Sequence, residues 1–231
     1  MILPTTPAAE TLPSVEVQKR TDSFTARRAL LNSNPSLYVS KTRLSIRQIP
    51  TFVTERMLRR LAKHAIQAFD EDVVSGTRTG LSEDEMTRDE PASNGDKTQN
   101  KGKATPRVRQ AKIVRQADRV DALTGKGRSK GYGFLELRDH ADALRVLRWA
   151  NNNPEVSSLF SEWWSAELAN EKKGADAARA KQITEVENRG SDAKQPKGSL
   201  IVEFSIENTQ VVRRRAARQA VVSVILLHPG A

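Results

Sequence analysis

Apolar and polar residues alternate along four short stretches of the chain. Successive side chains of a strand point to opposite faces, so this alternation predicts strands with one buried face. The first stretch contains Leu44 and Ile46, and Pro50 follows its end. The pattern predicts strands at residues 44–49, 108–115, 130–137 and 200–206.

Two stretches with apolar residues at helical spacing follow the first and the third predicted strand. One covers residues 54–69, with Thr54 as its N-cap, and the other covers 139–151, with Asp139 as its N-cap. The order strand, helix, strand, strand, helix, strand predicts an α+β fold of the ferredoxin-like βαββαβ type. This fold is a sandwich of a four-stranded antiparallel sheet and two helices on one of its faces. Its other face is available to a ligand.

The remaining segments are largely polar, and their composition predicts additions to one domain. Residues 1–40 are expected to be a disordered tail, because they are polar with scattered prolines. The domain is expected to span 41–208, with an acidic, disordered insert at about 70–106. A second insert, at about 152–198, is expected to be helical and then disordered, and 209–231 is expected to form a basic helix and tail.

The clearest candidate site is the third strand, whose residues 130–137 read Lys-Gly-Tyr-Gly-Phe-Leu-Glu-Leu. Alternation predicts that Lys130, Tyr132 and Phe134 share the sheet face away from the helices. Aromatic rings on such a face can stack on unpaired bases, and the lysine can meet a phosphate. The alternative is a strand whose rings are covered by another part of the chain.

This segment matches the RNP1 pattern at most positions, and with the strand order it resembles the RNA-recognition-motif (RRM) family over residues 42–208. The resemblance implies that RNA binds across the sheet. Its second motif corresponds to residues 44–49, which makes Ser45 and Arg47 candidate RNA contacts. The family usually has an aromatic residue where Ser45 stands. Glu136 and Glu203 are expected on the same face, where carboxylates repel phosphate.

The flanking segments carry a narrower resemblance. Residues 34–50, 151–154 and 202–208 are similar to landmarks of the last RRM of a nucleolar protein family that has several such motifs. That family acts in large-ribosomal-subunit assembly and ribosomal RNA processing. The similarity implies a ribosomal RNA precursor as the partner and the nucleus, in particular the nucleolus, as the location.

Charge also favours a polyanionic partner, since 38 lysines and arginines against 28 acids give a net charge of +10. Ten lysines and arginines, but only two aspartates, lie within residues 101–130. We interpret this segment as an electrostatic track beside the aromatic residues, although an ordinary solvated loop is the alternative. The candidate phosphate contacts are Arg109, Lys112, Lys126 and Arg128. A further cluster at 213–218 fits RNA contact or a nuclear import signal.

The chain lacks the residues that several classes of function require. The chain has no cysteine, and His64, His140 and His228 are not spaced as metal ligands. The glycine-rich stretch 125–131 lacks the order of a phosphate-binding loop. We therefore expect no enzyme activity and no cofactor or metal. No apolar run reaches the length that spans a bilayer, and no membrane partner is expected.

The second insert contains an apolar stripe formed by Leu159, Phe160, Trp163 and Trp164 at helical spacing. So much apolar surface is expected to be covered by the domain itself, by a partner protein such as a pre-ribosomal protein, or by the sheet face. The leading hypothesis is an RNA-binding module of ribosome assembly. A protein-interaction domain with the same fold and a messenger-RNA processing factor are the alternatives.

Overall fold

The computed structural model describes residues 6–10, 12–86, 106–120, 127–173, 181, 184 and 198–227, with only the backbone for 7, 8, 118, 119 and 219–227. Four strands are described within these residues. They are β1 (Leu37–Arg47), β2 (Val108–Val120), β3 (Gly127–Leu137) and β4 (Ile201–Asn208). The helices are α1 (Pro7–Glu10), α2 (Ser14–Ser33), α3 (Glu55–Val74), α4 (Glu83–Met86), α5 (His140–Ala150), α6 (Glu155–Lys173) and α7 (Thr209–Leu227).

The strands form one sheet in the order β2-β3-β1-β4. With α3 after β1 and α5 after β3, this is the ferredoxin-like βαββαβ arrangement that the sequence predicts. The fold prediction is confirmed. One face of the sheet carries a buried row in which Leu135 lies between Leu44 of β1 and Ala111 of β2.

The two predicted helices cover this buried face. The Thr54 hydroxyl caps α3, because it accepts a hydrogen bond from the Met57 N–H at 3.2 Å. The apolar side of α3 is buried and packs against α5 and β2. The core that these elements enclose includes Leu44, Ile46, Met57, Leu58, Leu61, Ile66, Phe69, Leu135, Leu137 and Val146.

The N-terminal segment corrects one expectation. Residues 1–40 are predicted to be disordered, but Ser14–Ser33 forms α2 and β1 begins at Leu37. No proline or glycine interrupts residues 14–33, and polar pairs one turn apart support the helix. One such pair is Gln18–Asp22, joined by a hydrogen bond of 2.7 Å. The scattered prolines lie outside this run, so they do not prevent the helix.

The start of the acidic insert corrects a second expectation. Helix α3 continues to Val74, and the short α4 packs against α5. A reciprocal capping box holds α4, because the Ser82 N–H donates to the Glu85 carboxylate at 3.0 Å and the Glu85 N–H donates to the Ser82 hydroxyl at 3.4 Å. The Arg148 guanidinium of α5 also binds this carboxylate. The rest of the predicted disordered insert, residues 87–105, lies outside the described residues.

The tryptophan-containing part of the second insert forms the predicted helix, α6. Phe160 and Trp163 are buried, and the Trp163 ring meets those of Phe160 and His64 edge-on at 6.0 and 5.9 Å. The half-buried Trp164 contacts Phe52, with 5.7 Å between ring centroids. The domain itself therefore covers Trp163. Trp163 is only 3% exposed, so no partner is needed to cover it, and docking of a pre-ribosomal protein through Trp163 and Trp164 stays a prediction.

The chain forms two compact units, Lys41–Glu203 and a second unit made of residues 1–40 with 204–231. In the second unit, the Arg27 guanidinium donates a hydrogen bond to the Phe204 carbonyl. The Thr209 hydroxyl, at the start of α7, donates to the Ser36 carbonyl at 3.0 Å. Helix α7 extends through the apolar residues 221–227. None of the described helices is long and apolar enough to cross a membrane.

Candidate nucleic-acid interface

The candidate site lies on the sheet face opposite α3 and α5. Gly133, Leu135 and Leu137 are buried on the core side of β3, so the side chains of Tyr132 and Phe134 belong to the other face. Tyr132 is 37% exposed, and Phe134 is half-buried. We call this surface the aromatic face, and it also includes the neighbouring Ser45 and Arg47 of β1 and Lys112 of β2.

The strand register brings these residues together. Arg47 lies opposite Tyr132, and Ser45 lies opposite Phe134 on β1. On the other side of β3, Lys112 lies opposite Phe134. Residues from three separate parts of the sequence therefore form one surface of two aromatic rings, two hydroxyl groups and two cations.

Two glycines shape β3 beside the aromatic residues, for different reasons. Gly131 has a φ of 77°, which only glycine adopts without strain. Gly133 has no room for a side chain, because a Cβ there would lie 2.6 Å from the Lys112 carbonyl oxygen. These requirements explain both glycines of the Lys-Gly-Tyr-Gly-Phe segment.

The position of Lys130 is less regular than alternation predicts. Ile113 pairs with Gly133 and Arg115 pairs with Ser129, so β3 uses four residues where β2 uses two. Gly131 lies inside this irregularity, and simple alternation does not extend from Tyr132 to Lys130 across it. Lys130 is exposed, and its place on the aromatic face stays a prediction.

The two aromatic rings are not equivalent. The guanidinium carbon of Arg43 lies 4.8 Å from the centroid of the Phe134 ring, a cation–π contact. Arg43 is only 9% exposed, so it holds this position within the structure. Sequence reasoning missed Arg43, although it shares the alternation of Ser45 and Arg47 on β1. Tyr132 is therefore the more accessible ring for a base.

The carboxylates of this face are paired with arginines. Arg47 forms an ion pair of 2.7 Å with Glu203, and Arg109 lies 3.9 Å from Glu136. The predicted repulsion of phosphate by these glutamates is therefore reduced. The same pairs reduce the positive charge that Arg47 and Arg109 offer to a ligand. Ser45 donates a hydrogen bond of 3.2 Å to the Glu203 carbonyl, so its hydroxyl takes part in joining β1 to β4.

The other basic residues of residues 101–130 divide into structural and available cations. Arg115 binds the Glu55 carboxylate through two nitrogens, both at 3.3 Å. Lys112, Arg128 and Lys130 are exposed and form no ion pair within the described part of the chain. Lys126 lies outside the described residues. The predicted electrostatic track thus has fewer available cations than the sequence indicates.

The described residues contain no group of three or more potential metal ligands. The Asp142 carboxylate is buried in α5, and it lies 3.3 Å from the Arg107 guanidinium and 3.2 Å from that of Arg145. Burial raises the pKa of the Asp142 carboxyl above its ordinary value of 3.8, although both arginines oppose this shift. The contact with Arg107 ties α5 to the start of β2, which gives Asp142 a structural role.

Comparison with known proteins gives weak similarities. No family model matches the chain. The chain is 26% identical over 151 residues to the Homo sapiens protein "RNA-binding protein 28". The match covers 65% of this chain but only 15% of that protein, so the chain corresponds to a small part of its length. A solved structure, the "Sxl-lethal protein/RNA complex", aligns with 72% of this chain and 49% of its own, at 12% identity and a TM-score of 0.30.

Proposed function

We propose that this chain binds single-stranded RNA through the aromatic face of its sheet. The observation that carries the proposal is the exposed ring of Tyr132. It lies on a face that also presents Lys112, a cation that forms no ion pair with any described residue. An aromatic ring offers a stacking surface to a base, and a neighbouring lysine offers a charge to the phosphate. The similarity to a protein named for RNA binding supports the same function.

The residues have distinct roles in this proposal. Tyr132 stacks on one base, while Phe134 and Arg43 form the floor beside it. Lys112, Arg128 and Lys130 contact phosphates, and Lys126 extends the same basic segment. Arg47, Arg109 and Ser45 line the site, and their pairs with Glu203 and Glu136 fix the shape of the surface.

We further propose a ribosomal RNA precursor as the ligand and the nucleolus as the location. The support is the resemblance of residues 34–50, 151–154 and 202–208 to the last RRM of the nucleolar assembly family. Crosslinking in cells followed by sequencing of the attached RNA distinguishes a ribosomal precursor from messenger RNA.

A protein-interaction domain is the second candidate, and one observation favours it. Arg43 covers a face of Phe134, and Ser45 replaces the aromatic residue that the second motif usually supplies. Only one ring is then readily accessible to bases. This candidate predicts that substitution of Tyr132 weakens binding of a protein and leaves RNA affinity unchanged.

A set of tyrosine variants separates the two candidates. Tyr132→Ala is expected to lower the affinity for single-stranded RNA, and Tyr132→Phe is expected to retain it because the ring is preserved. Tyr38→Ala changes the other tyrosine of the chain and serves as the matched control. Fluorescence anisotropy with a labelled RNA measures all three. Equal affinity of Tyr132→Ala and the unaltered protein would contradict RNA binding by the aromatic face.

A further inference from the structure

Helix α3 presents a row of cations on the side of the domain that lies away from the aromatic face. The positions repeat at intervals of three and four residues, so they share one side of the helix. All four side chains are exposed. The row consists of Arg56, Arg59, Arg60 and Lys63.

A groove of about 400 Å³ lies between this row and helix α6. Its walls contain Arg60, Lys63, His64 and Gln67 from α3 and Leu159 and Glu162 from α6. The buried Trp163 forms part of the floor, and the Arg60 guanidinium carbon lies 4.6 Å from the centroid of this ring. The contact holds Arg60 at the groove. We call this site the helix-side groove.

The charges of the row are only weakly matched by the chain itself. Arg56 meets Glu167 at 3.8 Å and is largely exposed. Arg59 and Lys63 form no ion pair within the residues that the structure describes. Glu162 is the one acidic residue that lines the groove. Hydrogen-bond donors therefore outnumber acceptors along this surface, which favours an anionic ligand.

The surface fits a phosphate backbone better than a protein partner. Protein interfaces usually have a core of exposed aromatic or aliphatic residues. Among the described side chains of α3 and α6, Val74 is the one large apolar side chain that is exposed. It lies at the end of α3, eleven positions beyond Lys63. The groove itself is lined mainly by charged and polar groups above a buried ring, and its other apolar side chain, Leu159, is half-buried. Sequence-independent contact with phosphates requires this kind of surface.

We propose that the helix-side groove binds the phosphate backbone of a second stretch of the RNA whose bases contact the aromatic face. This inference rests on the proposed function and adds a second binding site to it. The two surfaces lie on different sides of the sheet, so one short strand does not reach both. A longer RNA that passes around the domain engages both sites, and its affinity rises because the second contact is intramolecular.

The test compares short and long RNA with paired charge variants. The groove variant is Arg59→Glu with Lys63→Glu, two exposed positions outside the core. The control variant is Arg28→Glu with Lys173→Glu, which makes the same change in net charge at exposed positions of α2 and α6. Affinities are measured for single-stranded RNAs of about 8 and about 30 nucleotides over a series of salt concentrations.

Relative to the control, the groove variant is expected to bind the long RNA about tenfold more weakly, with a salt slope reduced by about 1.4 for two lost phosphate contacts. Its affinity for the short RNA is expected to equal that of the control. Equal affinities of both variants for the long RNA would overturn the inference, as would equal losses on the short and the long RNA. A glutamate-rich peptide that displaces the long RNA equally well from the groove variant and from the control would also contradict the inference.

Tyr132→Ala separates this inference from the proposed function. If Tyr132→Ala lowers the affinity for both RNAs and the groove variant behaves as the control, the aromatic face binds RNA and the groove does not. If Tyr132→Ala binds both RNAs normally, the proposed function is wrong and the two-site inference fails with it. Circular dichroism of each variant verifies that the fold is retained.

Discussion

The Arg43 guanidinium carbon lies 4.8 Å from the centroid of the Phe134 ring, on the same sheet face as Tyr132. Strand alternation alone treats Tyr132 and Phe134 as two equal platforms for bases. The contact makes them unequal, because Arg43 is almost completely buried and covers one side of the Phe134 ring. A base must displace Arg43 to stack on that side, whereas Tyr132 is exposed.

The first prediction concerns this difference. Tyr132→Ala should reduce RNA affinity by about 1–3 kcal/mol, the usual effect of removing one stacking residue. Phe134→Leu should reduce it less, since the ring is already covered by a cation. Titration of a labelled single-stranded RNA with each variant measures the two losses. Equal losses would show that Arg43 moves away readily when RNA binds.

A double-mutant cycle tests the role of Arg43 directly. Replacing Arg43 with glutamine removes the cation and exposes the Phe134 ring. Phe134→Leu should then cost more RNA affinity in the Arg43→Gln background than in the unaltered protein. Additive effects would indicate that the two side chains act independently in binding.

The second prediction concerns the salt dependence of RNA binding. Lys112→Gln and Lys130→Gln should each flatten the slope of log affinity against log salt by about 0.7, the value for one single-strand phosphate contact. Arg47→Gln should change the slope less, because its guanidinium lies 2.7 Å from the Glu203 carboxylate. A larger change for Arg47 than for Lys112 would mean that RNA breaks the Arg47–Glu203 pair.

The sequence predicts the strands, the two core helices and the face that carries Tyr132. These features depend on local patterns, because the period of a strand decides which side of it is buried. Leu44 and Leu135 are therefore placed correctly without knowledge of the tertiary structure. The same patterns predict that α6 has an apolar side. Phe160 lies on this side and is buried.

Other features depend on contacts that no local pattern specifies. The position of Arg43 over Phe134 and the pair of Arg47 with Glu203 arise from strands that are distant in sequence. The irregularity at Gly131 shifts the register of β3 and cannot be read from alternation. Helix α2 was not expected, because a polar stretch without an apolar stripe gives no periodic signal.

The third prediction concerns the pH dependence of stability. Burial raises the pKa of Asp142, despite the neighbouring Arg107 and Arg145, so the folded protein holds this proton more tightly than the unfolded chain. The contribution of Asp142 to stability is therefore lost as pH rises from its ordinary pKa of 3.8 through the higher folded value. Asp142→Asn should lack this loss, so its stability relative to the unaltered protein should increase across that interval.

Denaturant unfolding at a series of pH values measures this effect. Asp70→Asn is the control, since Asp70 also binds Arg145, at 2.9 Å, but is half-exposed. This control should follow the pH profile of the unaltered protein more closely than Asp142→Asn does. Parallel curves for Asp142→Asn and the unaltered protein would show that Asp142 does not titrate differently in the two states.

The fourth prediction divides the acidic insert into two parts. Replacing residues 87–105 with a short Gly/Ser linker should leave the melting temperature almost unchanged, because this composition has little apolar surface to bury. Extending the replacement to Ser82 should lower the melting temperature. It removes the capping box of α4 and the contact between Glu85 and Arg148. Glu85→Gln, which weakens this contact alone, is the matched variant.

The fifth prediction separates the two glycines of β3. Gly131→Ala should destabilise the domain by about 1–2 kcal/mol, because an L-residue at a φ of 77° is strained. The site is otherwise spacious, since the nearest atom to an added Cβ is the Ile49 carbonyl oxygen at 3.5 Å. Asparagine tolerates this conformation better than alanine does, so Gly131→Asn should recover part of the loss.

Gly133 should respond differently to these substitutions, because a side chain at this position has no room. An added Cβ would meet the Lys112 carbonyl oxygen at 2.6 Å and the Ile113 Cα at 3.3 Å, so β2 and β3 must separate. Both are backbone atoms, which cannot rotate away as a side-chain end does. Gly133→Ala should therefore cost more stability than Gly131→Ala, and Gly133→Asn should cost at least as much as Gly133→Ala. Chemical denaturation measures these stabilities. If asparagine recovered stability at 133 but not at 131, the assignment of strain to Gly131 and of limited space to Gly133 would be reversed.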